Sequence, residues 1–125
     1  MDLNDFDPRP AATSGVDIPL VILGKPVMGD DGKPVTFRIK GSHDPAVAAY
    51  LLRADTSASK TTDEVMAKDM KLAQVALVGW SDNFTVNGKK PKFGPDGIAA
   101  VMDNPMVRQA VLREVWNTAN FISPP

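Results

Sequence analysis

Ser42-His43-Asp44 brings together the three residue types of a nucleophilic triad, and His43 is the chain's single histidine. A triad needs its side chains to converge in order, nucleophile to base to orienter, whereas three consecutive residues point apart. Asp44 is better used as the N-cap of a helix that Pro45 opens, because proline's fixed φ and missing N–H cost nothing at that position. Gly29-Asp30-Asp31-Gly32-Lys33 has the glycines and lysine of a phosphate loop. Here two residues separate the glycines where that loop has four, and Pro34 stands where a hydroxyl should reach magnesium. The run also lacks the alternating oxygen ligands and distal Glu of a calcium loop, so it reads as a hairpin turn. Asp63 and Glu64 could pair as acid and base, but in the first turn of a helix the cap and macrodipole account for both. Lys89-Lys90-Pro91-Lys92 is the basic cluster. Three lysines worth ~1 kcal/mol each at a charged surface are a weak anchor, and a solvated loop explains them. No catalytic residue is assigned.

Composition narrows the field further. The chain has 125 residues, no cysteine and one histidine, which removes thiol nucleophiles, disulfide scaffolds and a two-histidine zinc site. Fourteen basic residues oppose fifteen acidic ones, leaving a net charge of -1 and no pull toward nucleic acid or an anionic membrane. No apolar run approaches the ~20 residues needed to span a bilayer, and the first residues are acidic where a secretory signal is basic. The expectation is a non-enzymatic soluble domain without metal or cofactor.

What remains is apolar. Six methionines are present, and Met66, Met70, Met102 and Met106 fall on or beside expected helices. Methionine adapts to varied apolar partners through its flexible, polarizable thioether, although core filling is its commoner use. Trp80 and Trp116 serve first as core anchors and second as interface hot spots. Met66, Met70, Leu77, Trp80 and Trp116 are therefore the candidate partner-binding residues.

The elements that must carry these residues follow from pattern. Residues 1–16, rich in Asp, Asn, Pro, Ser and Gly without an apolar period, are expected as a flexible arm ahead of one domain at 17–125. Ile18 to Leu23 is apolar and β-branched, and Val35, Phe37 and Ile39 alternate with polar residues. Around the Gly/Asp turn these runs predict a β-hairpin over 18–40. Two strands alone are marginal in water, so the apolar face needs helices. Asp44-Pro45 starts a helix over 45–54, and a polar linker follows at 55–60. Thr61 with Glu64 forms a capping box for a helix over 62–78, where Met66, Met70, Ala73 and Leu77 make a one-sided stripe and Gly79 is a natural stop. Asn87-Gly88 signals a tight hairpin turn. Pro95 opens a helix over 95–102, and Asn104-Pro105 opens another over 105–121 with Val107, Val111, Leu112, Val115, Trp116 and Ala119 on its buried side. The fold expected is α+β, a mainly helical domain with an N-terminal β-hairpin.

Val78-Gly79-Trp80, a short loop to Asn87-Gly88-Lys89, Phe93-Gly94-Pro95 opening a helix, and Asn104-Pro105 before Arg108-Gln109-Ala110-Val111 together resemble the tail assembly chaperones of long-tailed bacteriophages. Pro26 to Gly32, then Phe37 to Ser42 and Asp44-Pro45, are similar to the hairpin and helix start of related phage proteins. The likeness spans about residues 18–122 and leaves out the acidic arm. It implies a chaperone that binds the tape-measure protein, keeps it soluble and helps recruit tail-tube subunits during tail morphogenesis, the last through a frameshifted longer form. It also implies residence in the bacterial host cytoplasm, absence from the mature virion, and room for self-association. The alternative is a minor structural tail or adaptor protein of the virion. A small enzyme working through Ser42, His43 or the acidic residues is a third reading, and an inhibitor or regulator a fourth.

Overall fold

The alternation of Val35, Phe37 and Ile39 demands a strand with one buried face. In the computed structural model, which describes residues 2–54 and 61–122, that strand is the centre of the sheet. β1 (Val16–Pro19) and β4 (Thr36–Ile39) pair antiparallel with Ile18 opposite Phe37, so the expected hairpin forms. Between them the chain makes a smaller hairpin of β2 (Val21–Ile22) and β3 (Lys25–Pro26). The third strand of the main sheet is β5 (Leu77–Trp80), antiparallel to β4 on its other side.

Five α-helices are described: α1 (Arg9–Ser14), α2 (Pro45–Ala54), α3 (Thr62–Ala76), α4 (Pro95–Met102) and α5 (Pro105–Val115). The fold is α+β and mainly helical. The caps work as their residue types require. Asp44 accepts from the N–H groups of Ala46 and Val47, both at 3.1 Å. Thr61 accepts from Glu64 N–H at 3.1 Å, and Asn104 from Met106 and Val107 N–H at 3.0 and 3.4 Å. α3 packs against α2, α4 and α5. Tyr50 donates to the Lys68 carbonyl at 2.8 Å, tying α2 to α3. Arg108 of α5 is buried, donates to the Met102 carbonyl at 2.9 Å and lies 3.8 Å from Asp69 of α3. Phe37, Ile39, Val35, Val47, Met102 and Val115 are the largest side chains wholly inside.

Three boundaries differ from expectation. The helix expected over 62–78 stops at Ala76, because Leu77 turns extended and the next residues satisfy the free edge of β4; Gly79 sits within that strand, opposite Arg38. The helix expected over 105–121 stops at Val115. A 3-10 turn, Thr118–Phe121, then carries Phe121 into the core, which leaves Trp116 and Ala119 exposed rather than on a buried face. The stretch expected as a flexible arm forms a 3-10 turn at Leu3–Phe6 and then α1, whose Ala12 is fully buried and accepts from Gly41 N–H at 3.1 Å. Ala12 docks because a small side chain fits tightly where the backbones approach. The expected linker at 55–60 lies outside the described residues.

Gly41 is where α1 and the Thr118–Phe121 turn meet. A Cβ there would stand 2.7 Å from the Phe121 ring, and Phe121 is itself buried. Gly41→Ala should therefore destabilise the chain by about 1–3 kcal/mol through overpacking. Urea denaturation reads this directly, and an unchanged midpoint would show that the ring is free to yield.

Candidate partner-binding groove

The apolar residues of four separate stretches enclose one open groove. Leu20 N–H donates to the Val35 carbonyl, Val27 N–H to Leu20, and Val35 N–H to Val27, all at 2.8–2.9 Å, so β2 and β3 stand beside β4. Phe84 and Val86 come from the segment after β5, and Val101 and Val107 from α4 and α5. Between them lies a groove of about 660 Å³ whose walls include Ile22, Val27, Phe84, Val86 and Val107, with buried Leu20, Val35 and Phe37 at its floor. Its polar rim is Thr85, Asn87, Asp103 and Asn104.

Two further hollows adjoin it through shared residues. One of about 700 Å³ shares Val86, Asn87 and Ala100 and continues past Phe93, Lys89, Lys92 and Asp96. The other, about 270 Å³, shares Ile22 and runs beside Leu23, Met106 and Arg113. All three hollows mix apolar and polar walls, with Lys89, Lys92 and Asp96 lining the second and Gln109 and Arg113 the third. Lys89, Lys90 and Lys92 take part in no ion pair among the described residues.

Neither a protein-family model nor a curated protein nor a solved structure matches this chain. What the site can do must be read from its own geometry.

The five expected partner-binding residues are not gathered in this groove. Leu77 is buried on β5 opposite Ile39 and offers no surface, because its strand was recruited into the core. Trp80 is half-buried. Its ring makes edge contacts with Phe37, Phe84 and Phe93 at centroid distances of 6.1, 6.1 and 4.9 Å, and its indole N–H donates to the Pro91 carbonyl at 3.3 Å. It therefore supports the walls from behind, since such aromatic contacts fix ring positions. Met66 and Met70 are half-buried on α3, Met70 against the core. Trp116 is 55% exposed where α5 ends.

The polar clusters have structural partners. Asp44 is buried and holds the start of α2, Ser42 N–H donates to the Val115 carbonyl, and His43 is exposed. The Gly29–Lys33 turn closes as a hairpin turn, with Gly29 N–H donating to Lys33 at 2.8 Å. Asn87-Gly88 forms the tight turn its residues signal, Val86 and Lys89 exchanging N–H···O bonds at 2.8 and 3.1 Å. Among the described residues no helix is long and apolar enough to cross a membrane, and no group of three His, Cys, Asp or Glu could hold a metal ion.

One organising residue has no local sequence signal. Asn83 is buried; its amide donates to Asp31 Oδ1 and the Lys33 carbonyl, both at 3.0 Å, and its oxygen accepts from the Ser81 hydroxyl at 2.7 Å. Ser81 in turn accepts from Thr36 N–H at 2.9 Å. A Cβ on Gly29 would overlap Asn83, so the turn and the amide fit only with glycine there. The alternation Phe84-Thr85-Val86 was the visible hint that the following segment forms a wall.

The Asn83 amide, and then Lys33 N–H, hold the Asp31 carboxyl below the usual carboxylate range. A depressed carboxylate stabilises the fold above its ordinary pKa and loses that contribution as pH falls through the lowered one. Asn83→Ala should raise the Asp31 pKa toward its ordinary value and cost about 1–2 kcal/mol by removing the hydrogen bonds of a buried amide, whose exposed partners can turn to water. Carboxyl NMR titration and denaturation measure the two effects, and an unmoved Asp31 titration would remove Asn83 as its cause.

Proposed function

We propose that this chain is a non-enzymatic assembly chaperone of the phage-tail type, taking helical segments of the tape-measure protein into its apolar groove. The observation that carries the proposal is the groove of about 660 Å³, walled by Ile22, Val27, Phe84, Val86 and Val107 and open to solvent. An amphipathic helix lays one apolar face into such a groove, and its other face keeps the complex soluble. Many copies along one long helical client need only modest affinity each, because neighbouring sites act together.

The stretches that carry the phage resemblance support the same reading. Trp80 stands behind the walls, Asn87 lies on the rim, and Phe93-Gly94-Pro95 lines the adjoining hollow at the start of α4. The proposal includes action in the bacterial host cytoplasm, recruitment of tail-tube subunits through a longer frameshifted form, and absence from the finished virion. It moves the client surface from Met66, Met70, Leu77, Trp80 and Trp116 to a groove that none of them lines.

Co-expression with the tape-measure protein should yield a soluble complex, and Val107→Glu in the groove wall should reduce client capture by roughly tenfold. A client equally soluble without this protein would overturn the proposal. Mass spectrometry of purified particles should find the chain scarce; stoichiometric amounts would instead make it a structural tail component.

A further inference from the structure

Two turns in the molecule share one backbone conformation and differ in the residue placed there. Asn87-Gly88 has φ of +53° and +78°, and Leu23-Gly24 has +52° and +78°. This left-handed pair closes a two-residue hairpin, and asparagine suits its first position because a short polar side chain tolerates it. Leucine does not, and a bulky residue held there signals a local cost. Leu23 is also 86% exposed, so burial within the chain does not offset that cost. Turn chemistry and burial are both violated at a single residue.

The surroundings indicate what offsets it. β2 packs on α5, and Ile22 pairs with Lys25 across the turn, which positions the tip over the helix. Leu23 borders the hollow that contains exposed Met106 and joins the main groove through Ile22. The charges beside it are cationic: Lys25 is exposed, and Arg113 lines the hollow with its nearest carboxylate, Glu114, 4.0 Å away. Lys89 and Lys92 line the other adjoining hollow together with Asp96, and Asp103 lies on the rim of the main groove. Two copies meeting through this tip would set cations against cations, which disfavours a second chain as occupant.

We propose that Leu23 is the anchor by which the groove grips an amphipathic helical segment whose apolar stripe is flanked by acidic side chains. This inference rests on the helix-in-groove reading above and names the class of helix it selects. Leu23 enters between apolar side chains of the client helix. Lys25 and Arg113 face its acidic flank at one end, and Lys89 and Lys92 do so at the other.

Two synthetic peptides of about 18 residues, five helical turns with the same leucine stripe, test this. One carries Glu at the flanking positions and the other Lys. The full chain should bind the Glu peptide more tightly, and added salt should weaken that binding. Leu23→Asn should bind it roughly tenfold more weakly. Its Tm should equal or exceed that of the unsubstituted chain, because asparagine relieves the turn. The double variant Lys25→Glu with Arg113→Glu should lose the preference for the Glu peptide. Unchanged binding by Leu23→Asn, or equal binding of the two peptides, overturns the inference and leaves the groove reading standing. If neither peptide binds the unsubstituted chain, both fall.

Discussion

A central strand has hydrogen-bonding groups along two edges, and both rows need partners once the strand is buried. β4 imposes that requirement here. Its own hairpin supplies β1 on one side, and the other side is met by chain that follows a helix, Leu77–Trp80. The helix α3 ends where it does so that this pairing can form. The same change of direction sets Trp80 against Phe37, and Phe84 and Phe93 then pack on Trp80. The groove walls thus depend, at two removes, on an edge of β4 being closed.

Two buried polar side chains extend this dependence beyond the sheet. Asn83 binds the turn between β3 and β4 to the residues that follow β5. Arg108 joins α3, α4 and α5 through Asp69 and the Met102 carbonyl, although its Nε has no hydrogen-bond partner. A buried charge in that state is weak evidence of stability. Both residues act by uniting stretches distant in sequence.

The proposed partner surface differs in place from the expected one. An expectation built on helical stripes put the partner surface on Met66, Met70, Leu77, Trp80 and Trp116. Leu77 is buried in the sheet and Trp80 packs against Phe84, while the groove's walls lie among residues that no single periodicity grouped together. Their adjacency rests on the β2–β3 excursion, the post-β5 segment and the start of α5, which meet only in the folded chain.

The caps at Asp44, Thr61 and Asn104, the Asn87-Gly88 turn and the alternation in β4 were legible in the sequence. Each rests on contacts within three or four residues or on a repeat of two. The exclusion of thiol chemistry and histidine-rich metal sites was equally direct, since it depends on residues being absent from the chain. Tertiary structure alone decided where α3 and α5 end, because the apolar spacing of a helix runs on through Leu77 and Trp116 without interruption. What stops those helices is a strand edge and a core position offered by distant chain. The groove belongs to the same class: its walls are ordinary valines, isoleucine and phenylalanine, and only packing determines which of them remain open to a partner.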